Sequence, residues 1–189
     1  ARLARSALAM GIEFRPEAFT RALADATDAL PPHPHRIRAL LSRSGELTIT
    51  TALLEPLGPA PCVCLAEDLL DPADPRLRHK TTARAFYDRA LARALAHGCF
   101  DVLYFNTRGE LCEGTRSNVF VERDGRLLTP PSRSGLLPGV MRQQLLDDGR
   151  AHEALLYRSD LLHADRVWVS NALRGLVEVR CTGSTLPSD

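Results

Sequence analysis

An α+β fold with mainly antiparallel strands is predicted by three observations on this 189-residue chain. Stretches such as PEAFTRALADATDAL and TTARAFYDRALARALAHG carry apolar residues at helical spacing. Between and after them come short runs rich in β-branched and aromatic residues, joined by tight turns at Ser44-Gly45, Arg108-Gly109 and Asp124-Gly125. A proline-bearing stretch, LLDPADPRLRH, passes from acidic to basic and reads as a linker, with a break near residue 75.

The elements follow in order. ARLARSALAMGI opens inside a helical pattern with no residue to cap it, which suggests a piece of a longer polypeptide and a small domain without its first strands. A second helix starts at Pro16 and stops before Pro31-Pro32. HRIRALL and ELTITTALL form two strands, and PCVCLAE a third. The helix after Lys80 ends at Gly98. DVLYFNT, ELCEG, SNVFVER and RLLTPP are short strands. Pro138-Gly139 starts a helix that runs to Gly149, and RVWVSNALRGLVEVRCTG supplies two final strands around a turn. The expected domains are a small one at 1–75, truncated at its N-terminus, and a larger one at 76–189.

Composition narrows the function classes. Apolar residues make up 44% and charged residues 25%, as in an ordinary soluble domain. A net charge of +1, with the arginines dispersed among 23 acidic residues, argues against nucleic acid as the partner. No apolar run approaches the ~20 residues of a membrane span, and no signal peptide is visible. The five cysteines lack metal-type spacing and are expected to be reduced thiols of a cytoplasmic protein, with Cys62 and Cys64 on one face of a strand. His33-Pro-His35 lacks a third ligand, so no metal site is expected.

Lysine and arginine together number 24, yet Lys80 is the sole lysine. A compositional drift toward arginine would leave a lysine only by chance, or where a guanidinium cannot serve. An ε-amine can lose its proton when desolvated and attack a carbonyl, so Lys80 is a candidate for Schiff-base chemistry. Three further features bear on it: Glu113-Gly114 at a strand end followed by Thr115, Ser117 and Asn118; a helix N-terminus after Pro138-Gly139, suited to a phosphate; and the polar turn SNALRG. Taken singly, each is more often plain structure.

Together, and in this order, the segments E-G-x-x-S-N-x-F and L-P-G-V-x-R with one upstream lysine resemble the class IV aminotransferases, pyridoxal-phosphate enzymes of fold type IV. Within that family, HKTTARAFYD and SNALRGLVEVR are most similar to the 4-amino-4-deoxychorismate lyases, in particular the form fused behind a chorismate-aminating synthase subunit. The resemblance implies pyridoxal 5'-phosphate as cofactor and Lys80 as the Schiff-base lysine. It further implies Glu113 at the pyridine nitrogen, Leu137 against the ring, and Gly139, Val140 and Met141 at the phosphate, with Asn171 and Ala172 on a turn facing the same phosphate. Arg2 matches an arginine of a phosphate-contacting helix, and Arg38 a strand arginine that faces substrate. The family builds its sites at a dimer interface, so a homodimer is expected, with a fused or associated aminodeoxychorismate synthase as a further partner.

Two departures bear on the reaction. Ala85 stands where many transaminases of the family carry a tyrosine, Tyr87 being nearby but out of register, and Met141 where they often carry a hydroxyl residue. Both lean toward a lyase acting on aminodeoxychorismate and away from the alternative, a branched-chain or D-amino-acid transaminase. A second alternative is a non-catalytic module fused to a synthase, whose mark would be lost cofactor residues.

Overall fold

The computed structural model describes residues 2–186, which form two compact units, one within residues 1–57 and one within residues 58–189. The first unit contains helices α1 (Arg2–Ala9) and α2 (Pro16–Asp28) and the hairpin of β1 (His35–Leu41) and β2 (Leu47–Leu53). Pro16 occupies the first turn of α2, where its fixed φ and missing N–H cost nothing. Gly45 turns the hairpin at φ +83°, its amide bonding the Ser42 carbonyl. The two strands pair antiparallel from His35 with Leu53 to Leu41 with Leu47.

The second unit holds β3 (Cys62–Leu70), α3 (Ala85–Ala96), β4 (Asp101–Asn106), β5 (Leu111–Gly114), β6 (Asn118–Arg123), β7 (Arg126–Thr129), α4 (Val140–Asp147), β8 (His152–Glu153), α5 (Arg158–Leu162), β9 (Arg166–Asn171) and β10 (Gly175–Leu186). The strand order is β5-β4-β3-β10-β9-β6-β7-β8, and β5 also pairs with β6, which closes β5, β4, β3, β10, β9 and β6 into a ring. Most pairings are antiparallel, but β3 runs parallel to both of its neighbours, β10 and β4.

Period-two alternation builds the layers. Val63, Leu65, Leu103, Phe105, Leu111, Val119, Val167 and Val169 fill the interior of the ring. The intervening Cys64, Val102, Tyr104 and Cys112 face outward beneath α3, which buries Ala90 and Ala94 against them. Small residues on that stripe let the helix approach the sheet closely. Helix α4 covers a third cluster, placing Leu145 against Phe120.

Two expectations are corrected. The break is not near residue 75: β3 belongs to the larger sheet, so the units divide between Leu57 and Gly58. The stretch LLDPADPRLRH is therefore not a linker between them. It forms the end of β3 and a 3-10 turn at Pro75–Arg78, and it packs against the loop before α4, where a Cβ on Gly135 would lie 2.8 Å from Pro72 Cα. Nor are all five cysteines reduced: Cys64 and Cys99 form a disulfide, with Cα atoms 6.3 Å apart. The parallel pairing of Cys64 with Val102 brings the entry of β4 beside β3, a proximity with no local sequence signature. Cys62, Cys112 and Cys181 are free thiols. Among the described residues no helix is long and apolar enough to cross a membrane.

Leu103 is fully buried inside the ring. Leu103→Ala should cost about 2–5 kcal/mol of unfolding free energy, because the closed ring limits collapse around the cavity; equilibrium urea denaturation measures it.

Candidate active site

The segment E-G-T-R-S-N turns the chain sharply from β5 into β6, where Glu113 pairs with Asn118. Asp101, fully buried at the start of β4, holds this corner together. Its carboxylate accepts from the Val102 amide at 2.8 Å, from the Thr115 amide at 2.9 Å, and from the hydroxyls of Thr115 and Ser117. A Cβ on Gly114 would lie 2.5 Å from Asp101 Oδ2 and 2.7 Å from Ser117 Oγ. The glycine after Glu113 is thus demanded by the carboxylate beneath it.

Glu113 is itself buried. Its Oε1 accepts from the Tyr87 hydroxyl at 2.9 Å and its Oε2 from the Leu137 amide at 2.9 Å. Burial pushes this carboxyl up to about 7; the Leu137 amide and the Tyr87 hydroxyl oppose the rise, the nearby Asp101 adds to it, and the positive charge of Lys80 counters it. Lys80 lies in the exposed segment between the 3-10 turn and α3. Tyr87 was not among the candidate residues. Its signal was available in the helix period, since it stands at helical spacing from the buried Ala90 and Ala94.

The L-P-G-V-M-R segment meets the same corner. Asn118 Nδ2 donates to the Leu137 carbonyl at 2.8 Å, and a Cβ on Gly139 would fall 2.0 Å from Asn118 Oδ1. Only a glycine fits there. Gly139 is the N-cap of α4, so the amides of Val140 and Met141 lie in a first turn where the helix offers them no carbonyl. Val140 is exposed and Met141 half-buried. Arg142, almost wholly buried, ties that turn down by donating to the Pro130 carbonyl at 2.7 Å and to Glu153 at 2.5 Å. Asn171 ends β9 beside β6, its Oδ1 accepting from the amides of Leu173 and Arg174 while Nδ2 reaches the Arg116 carbonyl at 3.4 Å. Ala172 is exposed on that turn.

The second unit therefore brings Lys80, Glu113, Leu137, Gly139, Val140, Met141, Asn171 and Ala172 onto connected segments around one corner. Arg2 and Arg38 belong to the first unit. Arg2 is half-buried on α1, with its guanidinium lowered by burial and by Arg5; Arg38 is exposed on β1 opposite Thr50.

An amine, a buried carboxylate and free helix amides are the three groups that suit an aldehyde, a ring nitrogen and a phosphate on one molecule. Comparison with known proteins agrees. Residues 1–181 match the amino-transferase class IV family, and the chain belongs to it. That family comprises pyridoxal-phosphate-dependent enzymes. Among its relatives, a protein of Schizosaccharomyces pombe named as an aminodeoxychorismate lyase is 33% identical over 146 residues, which cover 74% of this chain and 63% of that one. The chain thus spans less than two thirds of that curated relative's length. A crystal structure from Mesorhizobium loti, described as an amino-acid aminotransferase, is 40% identical with a TM-score of 0.88, over 96% of this chain and 88% of the other. An aminotransferase structure from Mycobacterium tuberculosis, in its α-ketoglutarate and PMP bound form, is 25% identical with a TM-score of 0.82, over 100% of this chain and 76% of the other.

The Glu113 carboxyl holds its proton more tightly folded than unfolded, so ionising it costs stability. In cofactor-free protein its contribution falls as pH rises from about 4.5 to about 7 and stays lower above that window. Glu113→Gln removes this slope, so the stability difference between variant and parent should grow across the window. A difference constant with pH, in denaturant titrations on both proteins, would show that the carboxyl does not titrate there.

Proposed function

We propose that this chain acts as a pyridoxal-phosphate-dependent lyase that converts 4-amino-4-deoxychorismate to 4-aminobenzoate and pyruvate. The observation that carries the cofactor reading is the buried Glu113 carboxylate within reach of the charge of Lys80 and bonded to the loop that leads into α4. The residues present fit the group: Lys80 would be the attachment amine, Glu113 would partner the ring nitrogen, Leu137 would pack on the ring, and the amides of Val140 and Met141 would hold the phosphate with help from the Asn171–Ala172 turn.

Bound pyridoxal phosphate supplies an electron sink for the carbon that bears the substrate amine. Lys80 Nζ takes the proton from that carbon, and Glu113 keeps its negative charge against the ring nitrogen throughout. The neighbouring ring carbon–oxygen bond breaks, its electron pair leaving with the enolpyruvyl oxygen, and the proton goes to the enolpyruvyl methylene, so pyruvate leaves with its methyl complete while the remaining ring becomes aromatic. Aromatisation is the thermodynamic pull. Ala85 at the start of α3 and Met141 in the first turn of α4 leave out two polar groups that transaminases of the family often use.

The likeness to the Mesorhizobium aminotransferase favours a second reading, amino-group transfer between amino and keto acids on the same cofactor residues. The two differ in a measurable way. A lyase releases pyruvate and 4-aminobenzoate in equal amounts from aminodeoxychorismate with no keto acid added. Fast turnover of leucine, glutamate or D-alanine that depends on an acceptor, without lyase activity, would hand the assignment to the transaminase.

Lys80→Arg keeps the charge and removes the nucleophile. Borohydride reduction of the loaded protein should fix a pyridoxyl label on the Lys80 peptide, and the arginine variant should take up none and lose activity. A labelled Lys80→Arg protein would refute the assignment.

A further inference from the structure

Tyr87 has no role in the reaction as described so far, yet its hydroxyl is spent on Glu113. We propose that Tyr87 is a positioning residue for cofactor binding, its hydrogen bond to Glu113 Oε1 favouring the ionised form of that carboxyl group and aiming it before the cofactor arrives. This rests on Glu113 being the partner of the ring nitrogen.

The geometry is built for a fixed donor. The Tyr87 ring is clamped on α3 between Phe86 and Tyr104, with centroids 5.5 and 5.4 Å away, and the Arg84 guanidinium lies 5.9 Å from its centroid. Burial and the neighbouring Glu113 raise the phenol far above its ordinary range, so it keeps its proton and always donates. The other groups that act on this pair are Asp101 and Tyr104 from β4, Cys112 from β5, Lys80 from the segment before α3, and the Leu137 amide. Asp101 and burial push Glu113 toward its neutral form, Lys80 and the Leu137 amide push the other way, and the Tyr87 hydroxyl adds to the latter. A neutral Glu113 would offer the ring nitrogen no charge. Each oxygen of Glu113 accepts one bond from the protein and retains a further lone pair for the ring nitrogen.

Tyr87→Phe removes the hydroxyl and keeps the ring packing. The Kd of pyridoxal phosphate, followed by visible absorbance, is measured across pH for the parent, Tyr87→Phe, Glu113→Gln and the double variant. Loss of one hydrogen bond to a charged group should weaken binding by about tenfold at about pH 6, shrinking to about twofold or less at about pH 9, where Glu113 is ionised with or without its donor. In the Glu113→Gln background the added effect of Tyr87→Phe should not vary with pH. A loss of affinity equal at every pH in the Glu113 background would mean that Tyr87 serves only packing, and would overturn the proposal. Glu113→Gln with the parent's affinity profile would remove its footing along with the ring-nitrogen assignment, whereas a changed Glu113→Gln profile with an unaltered Tyr87→Phe profile would refute the role of Tyr87 alone.

Discussion

A carboxylate buried at the end of a short strand has to be solvated by the protein, and the second unit is arranged around that requirement at Glu113. Removing a charge from water without such partners costs several kcal/mol. Two stretches distant in sequence from Glu113 meet the need: α3 and the segment before it bring the Tyr87 hydroxyl and the charge of Lys80, and the loop before α4 brings the Leu137 amide. Satisfying one carboxylate therefore ties together the elements that carry Lys80 and the first turn of α4.

Behind this corner lies a second buried carboxylate. Asp101 gathers the Thr115 amide and the hydroxyls of Thr115 and Ser117, so the turn carrying Glu113 on one side and Asn118 on the other has little freedom. Asn118 then meets the Leu137 carbonyl, and Gly139 leaves it room to do so. A comparable network braces the far side. Asn106 accepts from the amides of Arg108 and Glu110 and donates to Glu110 and to the Ser134 carbonyl. Arg108 holds the Glu110 carboxyl down at about 2 and also bonds the Arg133 carbonyl. The loop that delivers Leu137 is thus anchored at both ends by polar groups that are costly to leave unpaired.

How much of this could be read in advance follows from how local each signal is. Helix limits at Pro16 and Gly98, and turns at Gly45 and Gly109, are set by backbone preferences of single residues, and the structure has them where the sequence places them. The segments around Glu113 and Gly139 stand out only together, through their resemblance to the family; the close approach that each glycine answers is visible only in the fold. What was not legible depends on pairing across the sheet. The membership of β3 in the larger sheet, and with it the Cys64–Cys99 disulfide, arises from parallel pairing to β4 and β10, which leaves no pattern in the residues themselves. The distance of Tyr87 along the chain from Lys80 carries no signal; its position on the inner stripe of α3 decides what it touches.

The same reasoning bears on where reaction specificity resides. Under the proposed function, the groups that Glu113, Asp101 and Asn118 organise would serve parts of pyridoxal phosphate common to the family's enzymes, so this frame would select a cofactor and leave the reaction open. Discrimination has to come from side chains that are not committed to the frame. Ala85 and Val140, both exposed, and the half-buried Met141 stand at the first turns of α3 and α4. None of their side chains carries an ionisable or strongly polar group. Such a rim supplies no proton donor of its own, so in the proposed reaction proton transfer would fall to the sole lysine, Lys80. A reaction that moves a single proton from ring carbon to departing methylene can run on one such group. A transamination half-reaction likewise moves one proton between two carbons on the same amine, so the contacts made to the substrate must separate the two readings.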